Sequence, residues 1–436
     1  MLPSWTPPTW MSRFVDIRPS EIRATLWSAL YFFCLLASYL ILRPLRDEMG
    51  VAAGRDTLQY LFTATFFVML AASPLYAGLV ARLPRRRFIP LIYHFFVLNL
   101  AIFWGLLSFG VEIAWTARVF FVWVSVFNLF AVSVFWSFMA DLFRTDQGKR
   151  LFGFIAAGGT AGTLLGSTIT VSLSGLIGPA NLLIAAAILL ELAVFCARRL
   201  EAAAPAPVAE ADAAAAGASG GPSQGGLLEG FRLLLGSRYL AGVALWVALL
   251  SLAGTFLYFI QQDVVRAASA DPAVRTRIFA SMDLIANLMT LALQFAATGQ
   301  IIKRLGAGPA AAVLPLVFAL GFGALLLAPG LYMVVAFQAL QRTLNFAVSN
   351  PAREILFTSV ARDEKYKAKN LIDTVVFRGG DVAWSWVFSG LSGMLGSALM
   401  VAGLAVPAMI GWAGLALWLG RQQEASLKKQ DGRREQ

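Results

Sequence analysis

Charge is scarce in this chain. Asp, Glu, Lys and Arg make up 14% of its 436 residues against 58% hydrophobic residues, and the mean hydropathy is +0.71. Soluble domains carry about a quarter charged residues, so soluble globular classes are excluded and a polytopic membrane protein is expected. Histidine occurs once and cysteine twice, which leaves too few ligands for a metalloenzyme, and no metal site is expected. Cys34 and Cys196 both fall within apolar segments and read as small packing residues. No GxxxxGK[ST] sequence is present, so ATP hydrolysis through that loop is excluded. No nucleophile-base arrangement is visible either, so neither an enzyme nor a bound cofactor is expected. The start, "MLPSWTPPTWMSRF", lacks the charged opening, short apolar core and small-residue cleavage site of a signal peptide. The first spanning helix is therefore expected to direct insertion itself, with "DIRPSEIRAT" lying along the cytoplasmic interface before it.

What is present is a set of long apolar runs separated by short basic loops. A span needs about 20 mainly apolar residues, and about twelve runs qualify. They start near Ile22, Thr57, Phe88, Ile113, Leu151, Asn181, Arg238, Arg277, Ala310, Leu331, Leu371 and Leu399. The longest interruption, "EAAAPAPVAEADAAAAGASGGPSQGG", is Ala, Pro, Gly and Ser rich and reads as a flexible linker. The expected organisation is a cytoplasmic segment 1–21, a six-helix bundle 22–200, a linker 201–230, a second six-helix bundle 231–420 and a basic tail 421–436.

The net charge of +11 sits in alternate loops, as membrane orientation demands. No basic stripe interleaves with aromatics, so no nucleic acid polymer is expected as a partner. Arg82 with Arg85 to Arg87, Arg144 with Lys149 and Arg150, Arg198 with Arg199, and Arg353 to Lys369 mark one side. Arg43, Arg46, Arg55, Arg118, Arg266, Arg275 and Arg277 are the sparse set on the other. Both termini and the linker are expected to be cytoplasmic.

The halves echo each other. "ARLPRRRFIP" follows helix 2 and "IIKRLGAGPA" follows helix 8, while "DLFRTDQGKRLFGFIAAGG" is loosely matched by "EILFTSVARDEKYKAKNLIDTVVFRGG". An all-α polytopic membrane protein with 12 transmembrane helices in two six-helix bundles, the major facilitator-type fold, is expected. Polar residues are costly in hydrocarbon unless they face the protein interior or water, so their spacing identifies inward faces. Helix 10 carries Gln338, Arg342, Asn345, Ser349 and Arg353. Helix 11 carries Thr374, Arg378, Asp381 and Ser385, helix 7 Ser251, Thr255, Tyr258 and Gln262, and helix 8 Asp283, Asn287, Thr290 and Gln294. Helix 5 repeats the pattern with Thr160, Thr163, Ser167 and Thr170. Helices 3, 6, 9 and 12 have few polar residues and are expected to face lipid. Gly158, Gly162 and Gly166 are expected to admit a close neighbouring helix, and Pro351 to kink helix 10, either as a gating bend or as a static one.

The buried charges narrow the function. Arg342 lies ~16 Å from either end of its helix at 1.5 Å per residue; it stands either in direct contact with an anionic substrate or in a structural pair with an acid on another helix. Arg378 and Asp381, three residues apart on one face, can neutralise each other, and the pair reads as structural, as a gate, or as part of substrate or proton coupling. Arg43 and Arg46 either attract anions or snorkel to the interface. Asp283 is a protonatable coupling site or an arginine's partner. His94 reads as packing, and Glu191 as leaning toward the cytoplasm.

Three stretches resemble the nucleotide exchange transporters, the ATP/ADP translocase family of plastids and intracellular bacteria. "SYLILRPLRDEM" is similar to that family's Ile-Leu-Arg-Asp-x-Lys-Asp ending of helix 1. "SVFWSFMADLFRTDQGKRLFGFIAAGGTAG" resembles its Phe-Trp-Gly-Phe-Ala-Asn segment with the following Lys-Arg and Gly-rich helix. "SNPAREILFTSVARDEKYKAKNLIDTVVFRGG" is similar to its Lys-Glu-Met-Ala-Tyr, Lys-Gly-Lys-Ala, Ile-Asp and Arg-Leu-Gly-Lys run. The resemblance implies a nucleotide antiporter and places Arg46 at the helix 1 lysine. Tyr258 and Gln262 stand where the family has an acidic and a basic residue, and Asp381 replaces a lysine. Fewer cations imply a solute less charged than a triphosphate.

The expected function is a secondary active transporter, acting as an antiporter of a small anionic, nucleotide-like solute by alternating access. Arg342, Arg46, Asn345, Gln338, Tyr258 and Arg378 are its expected solute-binding residues, and Asp381, Asp283 and Pro351 its coupling or gating residues. A proton-coupled exporter of amphipathic compounds and a non-transporting protein such as a lipid scramblase are the alternatives. The expected partners are the lipid bilayer and the solute, the expected state is a monomer, and the expected location is a bacterial inner membrane.

Overall fold

The computed structural model describes residues 17–82, 85–203, 232–234, 236–296, 303–360 and 362–434. The expected linker from 204 to 230 and the segment 1–16 lie outside the described residues. Twelve helical stretches follow in chain order: α1 (Ile22–Ala52), α2 (Leu58–Arg82), α3 (Arg85–Ser108), α4 (Ile113–Leu142), α5 (Thr145–Ile177), α6 (Pro179–Ala203), α7 (Arg238–Ala268), α8 (Pro272–Ala296), α9 (Ala307–Leu327), α10 (Leu331–Leu344), α11 (Phe377–Leu395) and α12 (Ala398–Arg434). Among the described residues there is no strand. Nine helices there are long and apolar enough to cross a membrane, and Leu58–Pro74 is a shorter apolar stretch. The chain is an all-α polytopic membrane protein. With no water to satisfy a bare backbone, only continuous helix is viable in hydrocarbon, and hydropathy therefore located these elements closely.

Two helices begin in polar residues. α1 begins at Ile22, where hydropathy put it, within "DIRPSEIRAT". Arg18 to Glu21 form a capping turn, in which the Glu21 carboxylate accepts from the Arg18 N–H at 3.1 Å. Helix α5 likewise starts at Thr145, ahead of its apolar run, with Gln147 Oε1 accepting from the Arg144 N–H at 3.0 Å. Side chains that satisfy orphan backbone groups extend a helix beyond what hydropathy registers.

α10 and α11 are built differently from the rest. α10 passes into a π turn, Asn345–Ser349, where the Asn350 N–H donates to Asn345 O, and then resumes as Asn350–Leu356. α11 is preceded by the short helix Arg362–Leu371 and a second π turn, Ile372–Val376, with the Phe377 N–H on Ile372 O. Pro351 lies two residues beyond the first π turn. Lacking an N–H, it could not have bonded the Ala347 carbonyl, so the expected perturbation of helix 10 takes the form of a widened turn beginning six residues earlier.

The described residues form two compact units. One comprises Met1–Ala53, Phe67–Gly221 and Asp271–Leu284, the other Gly54–Phe66, Pro222–Ala270 and Ile285–Gln436. The sequence limits 22–200 and 231–420 follow the chain, whereas compactness follows contacts. α2 and α8, at matching places in the two repeats, each give their first turns to the other unit.

In the first unit α5 lies directly on α1. A Cβ added at Gly158, Gly162 or Gly166 would strike the carbonyl oxygens of Ala29, Phe33 and Ala37 respectively. The glycine ridge thus seats one helix backbone against another, the packing role expected of it. Ser38 Oγ ties α1 to Ala186 O of α6 at 2.8 Å, and Tyr31 donates to Tyr93, which donates to Ala131 O of α4. Large apolar side chains of α3 (Leu91, Phe95, Leu98, Ile102) and α6 (Ile184, Ile188, Leu192, Phe195) turn outward. In the second unit α9 and α12 meet at Gly308 and Gly420, and Trp246, Trp412 and Phe318 fill the core. Gly162→Val is expected to force α1 and α5 apart and to cost at least about 1–3 kcal/mol, as overpacking does. A melting curve of the purified variant checks this; Gly153→Val, at a glycine with open space around it, is the control.

Candidate functional site

The polar groups of the second unit concentrate on α7, α10 and α11. On α10, Gln338 and Arg342 lie one turn apart, and both are buried, Arg342 to within 9% exposure. Gln338 donates to Gln261 of α7, and Gln341 Nε2 donates to Gln338 Oε1 at 2.5 Å. Three carboxamides thus link α7 and α10 beside the arginine. Asn345 opens the π turn with a buried Oδ1 that lacks a hydrogen-bond partner, as does the Ser349 hydroxyl at its end. π turns recur at functional positions because they leave backbone groups and side chains out of helical register. Tyr258 is half-buried on α7, its ring 5.5 Å from Phe62.

Arg378 and Asp381 do not form a close pair. Their charged atoms are 3.9 Å apart and Arg378 is 47% exposed, its guanidinium 5.7 Å from the Phe377 ring centroid. Asp381 instead accepts from the Ser251 hydroxyl of α7 at 2.6 Å. A short hydroxyl bond fixes the carboxylate and leaves the arginine able to reach elsewhere. Trp384, one turn on, donates to Ala248 O at 2.9 Å.

Arg46 and Asp283 lie in the first unit. Asp283 is 3.7 Å from Arg43, the partnered arrangement rather than an isolated acid. Arg46 holds Asp47 at 2.7 Å and sits 5.4 Å over the Phe121 ring. The largest omission of the sequence reading is Glu48, 1% exposed, which accepts from Nε and Nη2 of Arg275 at 3.1 and 2.5 Å. Arg275 was counted only as an outer-loop charge; an acid immediately before the end of an apolar run was the available signal. His94 lies 3.7 Å from Glu191, both about half exposed, so neither is simply packed or turned away.

The hydroxyl stripe of α5 behaves otherwise. Thr160, Thr163 and Thr170 donate to carbonyls of their own helix, Ala156, Thr160 and Gly166, the usual back-bonding of hydroxyls inside a helix. The basic segments also carry ion pairs: Arg150 on Glu21, which Gln147 Nε2 joins as a hydrogen-bond donor, Arg353 on Asp373 at 3.1 Å, and Lys369 on Glu354 at 2.7 Å. Burial opposes ionisation of Glu21, but the bonds from Arg150, Gln147 and the Arg18 N–H outweigh it and hold the carboxyl below its usual range.

By sequence the chain matches no protein-family profile and no curated protein. By structure it is similar to the nucleoside transporter NupG, at 15% identity and a TM-score of 0.60 over 93% of this chain and 99% of that one. A D-xylose-proton symporter matches at 14% identity and 0.60, over 92% and 97%. A bacterial homologue of the iron transporter ferroportin matches at 12% and 0.60, over 90% and 98%. The chain has the major facilitator fold. Identities this low carry the fold and no residue roles, so the site rests on the geometry above.

Two outcomes are expected. Glu48→Gln leaves Arg275 as a buried charge without its acid and is expected to cost about 3–5 kcal/mol, with Glu48→Gln/Arg275→Gln recovering part of the loss in chemical denaturation. Because the Glu21 carboxyl is depressed in the folded state, its contribution is present above the ordinary carboxylate pKa of about 4.3 and is lost as pH falls through the folded value. Glu21→Gln is therefore expected to be less stable than the parent at pH 7, with the difference shrinking as pH falls below the ordinary carboxylate range, measured as melting temperature against pH.

Proposed function

We propose that the protein is a secondary transporter that moves a small anionic solute across a bacterial inner membrane by alternating access, most consistently as an antiporter. The observation that carries the reading is Arg342: a permanently charged guanidinium, nine-tenths buried in the last turn of α10, beside carboxamides of two helices and three residues before a π turn. Such a charge costs at least ~2.5 kcal/mol on insertion scales. An anion-binding role explains its retention where an apolar residue would be cheaper. Gln338 and Asn345 would orient the solute, with Tyr258 and Arg378 contributing from α7 and α11, and Arg46 drawing anions to the other unit.

The three stretches similar to nucleotide exchange transporters support a nucleotide-like solute of low charge. The NupG likeness supports the fold on which such a site is built. In this reading Asp381 is a coupling group, held by Ser251 and neighboured by the mobile reach of Arg378. Asp283 and Pro351 act in gating, Asp283 through Arg43 and Pro351 through the π turn ahead of it. The basic loops favour cytoplasmic termini.

Proteoliposomes preloaded with nucleoside monophosphate are expected to take up labelled nucleotide by exchange. Arg342→Ala is expected to reduce that uptake at least about 30-fold, as loss of a buried charged contact worth about 2–5 kcal/mol implies, with insertion and melting intact. Undiminished uptake in Arg342→Ala would remove the arginine from the site, and efflux of amphipathic cations that collapses with the proton gradient would favour an exporter.

A further inference from the structure

Two stripes on the outside of the first unit end in arginine at the same height. On α1, Arg23, Leu26, Trp27 and Leu30 have the spacing of one helical face, and all but the half-buried Trp27 are exposed. On α6, Ile188, Leu192, Phe195 and Arg199 share a face in the same way and are exposed throughout. The stripes meet where the Trp27 and Phe195 rings stand edge to face, 6.0 Å apart. The helices run antiparallel, because their second tie, Ser38 Oγ on Ala186 O, lies farther along α1 and farther back along α6. Arg23 precedes Trp27 by one turn and Arg199 follows Phe195 by one turn. Each therefore stands ~6 Å beyond the ring contact, at 1.5 Å per residue, toward the same end of the unit.

The charge gathered there is not cancelled by the protein. The Arg199 guanidinium packs 5.0 Å from the Phe195 ring centroid, and Arg198 is exposed beside it. Among the described residues, none of Arg23, Arg198 and Arg199 forms an ion pair with an acid. Glu21, two residues before Arg23, is taken by Arg150, Gln147 and the Arg18 N–H, and Glu191, one turn before Phe195, faces His94. Counting Glu201, three residues past Arg198, against the three arginines still leaves two positive charges. The other basic segments differ, since Arg150, Arg353 and Lys369 each meet a carboxylate.

The surroundings select the anion. Exposed apolar side chains on a membrane-spanning helix face acyl chains, and helix ends lie at headgroup level, where tryptophan is favoured. Arginine matches phosphate bidentately. Surplus positive charge favours a headgroup with net negative charge over a zwitterionic one, and two adjoining apolar stripes suit a two-chain lipid over a free phosphate.

We propose that the arginine ends of α1 and α6 bind an anionic phospholipid, with Arg23, Arg198 and Arg199 on its phosphate, the Trp27 N–H on a headgroup or ester oxygen, and the apolar stripes against its chains. The site lies in the first unit and rests on no reading of the transported solute.

The full-length protein in dodecyl maltoside micelles is titrated with dioleoylphosphatidylglycerol and, separately, with dioleoylphosphatidylcholine, bound lipid being counted by native mass spectrometry and melting followed in parallel. Phosphatidylglycerol is expected to bind saturably, at least about tenfold tighter than phosphatidylcholine, and to raise the melting temperature as a ligand of the folded state does. Arg23→Gln/Arg199→Gln is expected to lose both effects while melting like the parent in lipid-free micelles. Arg304→Gln, which removes an exposed arginine from another basic segment, is expected to keep both. If the double variant fails to fold, Arg23→Gln and Arg199→Gln are read singly, each weakening phosphatidylglycerol at least about threefold. Equal binding of the two lipids, parent-like preference in the folded variants, an equal loss in Arg304→Gln, or equal binding of glycerophosphoglycerol, the headgroup without chains, would each overturn the proposal.

Discussion

In the first unit, the end of α1 is held to the opening turns of α8 by ion pairs formed in a medium that does not tolerate unpaired charge. Glu48 is almost wholly buried and takes two hydrogen bonds from Arg275, and Arg43 faces Asp283 about two turns farther along α8. In water such pairs contribute little. In a low-dielectric interior each partner is costly alone, and the pairing decides which unit the first turns of α8 belong to. Apolar side chains could hold the same helices together at no greater cost.

The second unit applies the same constraint to different groups. A chain of carboxamides joins α7 to α10 one turn before Arg342, and Asp381 accepts from a serine hydroxyl of α7. The first π turn begins three residues after Arg342, and the second ends two residues before Arg378. Both helices are therefore locally loosened beside their arginines, while the rest of each remains regular.

How much of this was legible in the sequence differs by level. Span positions were readable because hydrocarbon imposes a single solution, continuous helix, on any apolar stretch of sufficient length. Thus α4 begins at Ile113, α7 at Arg238 and α10 at Leu331, where hydropathy put them. The Gly158, Gly162 and Gly166 ridge was readable because a four-residue repeat of glycine has one strong physical use, close backbone approach. The polar stripe of α5 was less informative, since a threonine that bonds its own helix and one that faces a solute look the same in sequence. The π turns left no pattern beyond Pro351, because an extra residue in one turn is fixed by packing rather than by local preference.

Composition and periodicity by themselves pointed to an all-α polytopic membrane protein of the major facilitator fold, and to the faces of α7, α10 and α11 that carry polar groups. They also marked Arg342 as the charge most in need of a reason. Only the tertiary structure decided the partners: Gln261 for Gln338, Ser251 for Asp381, Arg275 for Glu48 and Arg43 for Asp283. Helical spacing fixes which residues of one helix share a face. Pairing across residues 77, 130, 227 and 240 positions apart depends on which helices pack together and at what height, and no local rule in the chain encodes that.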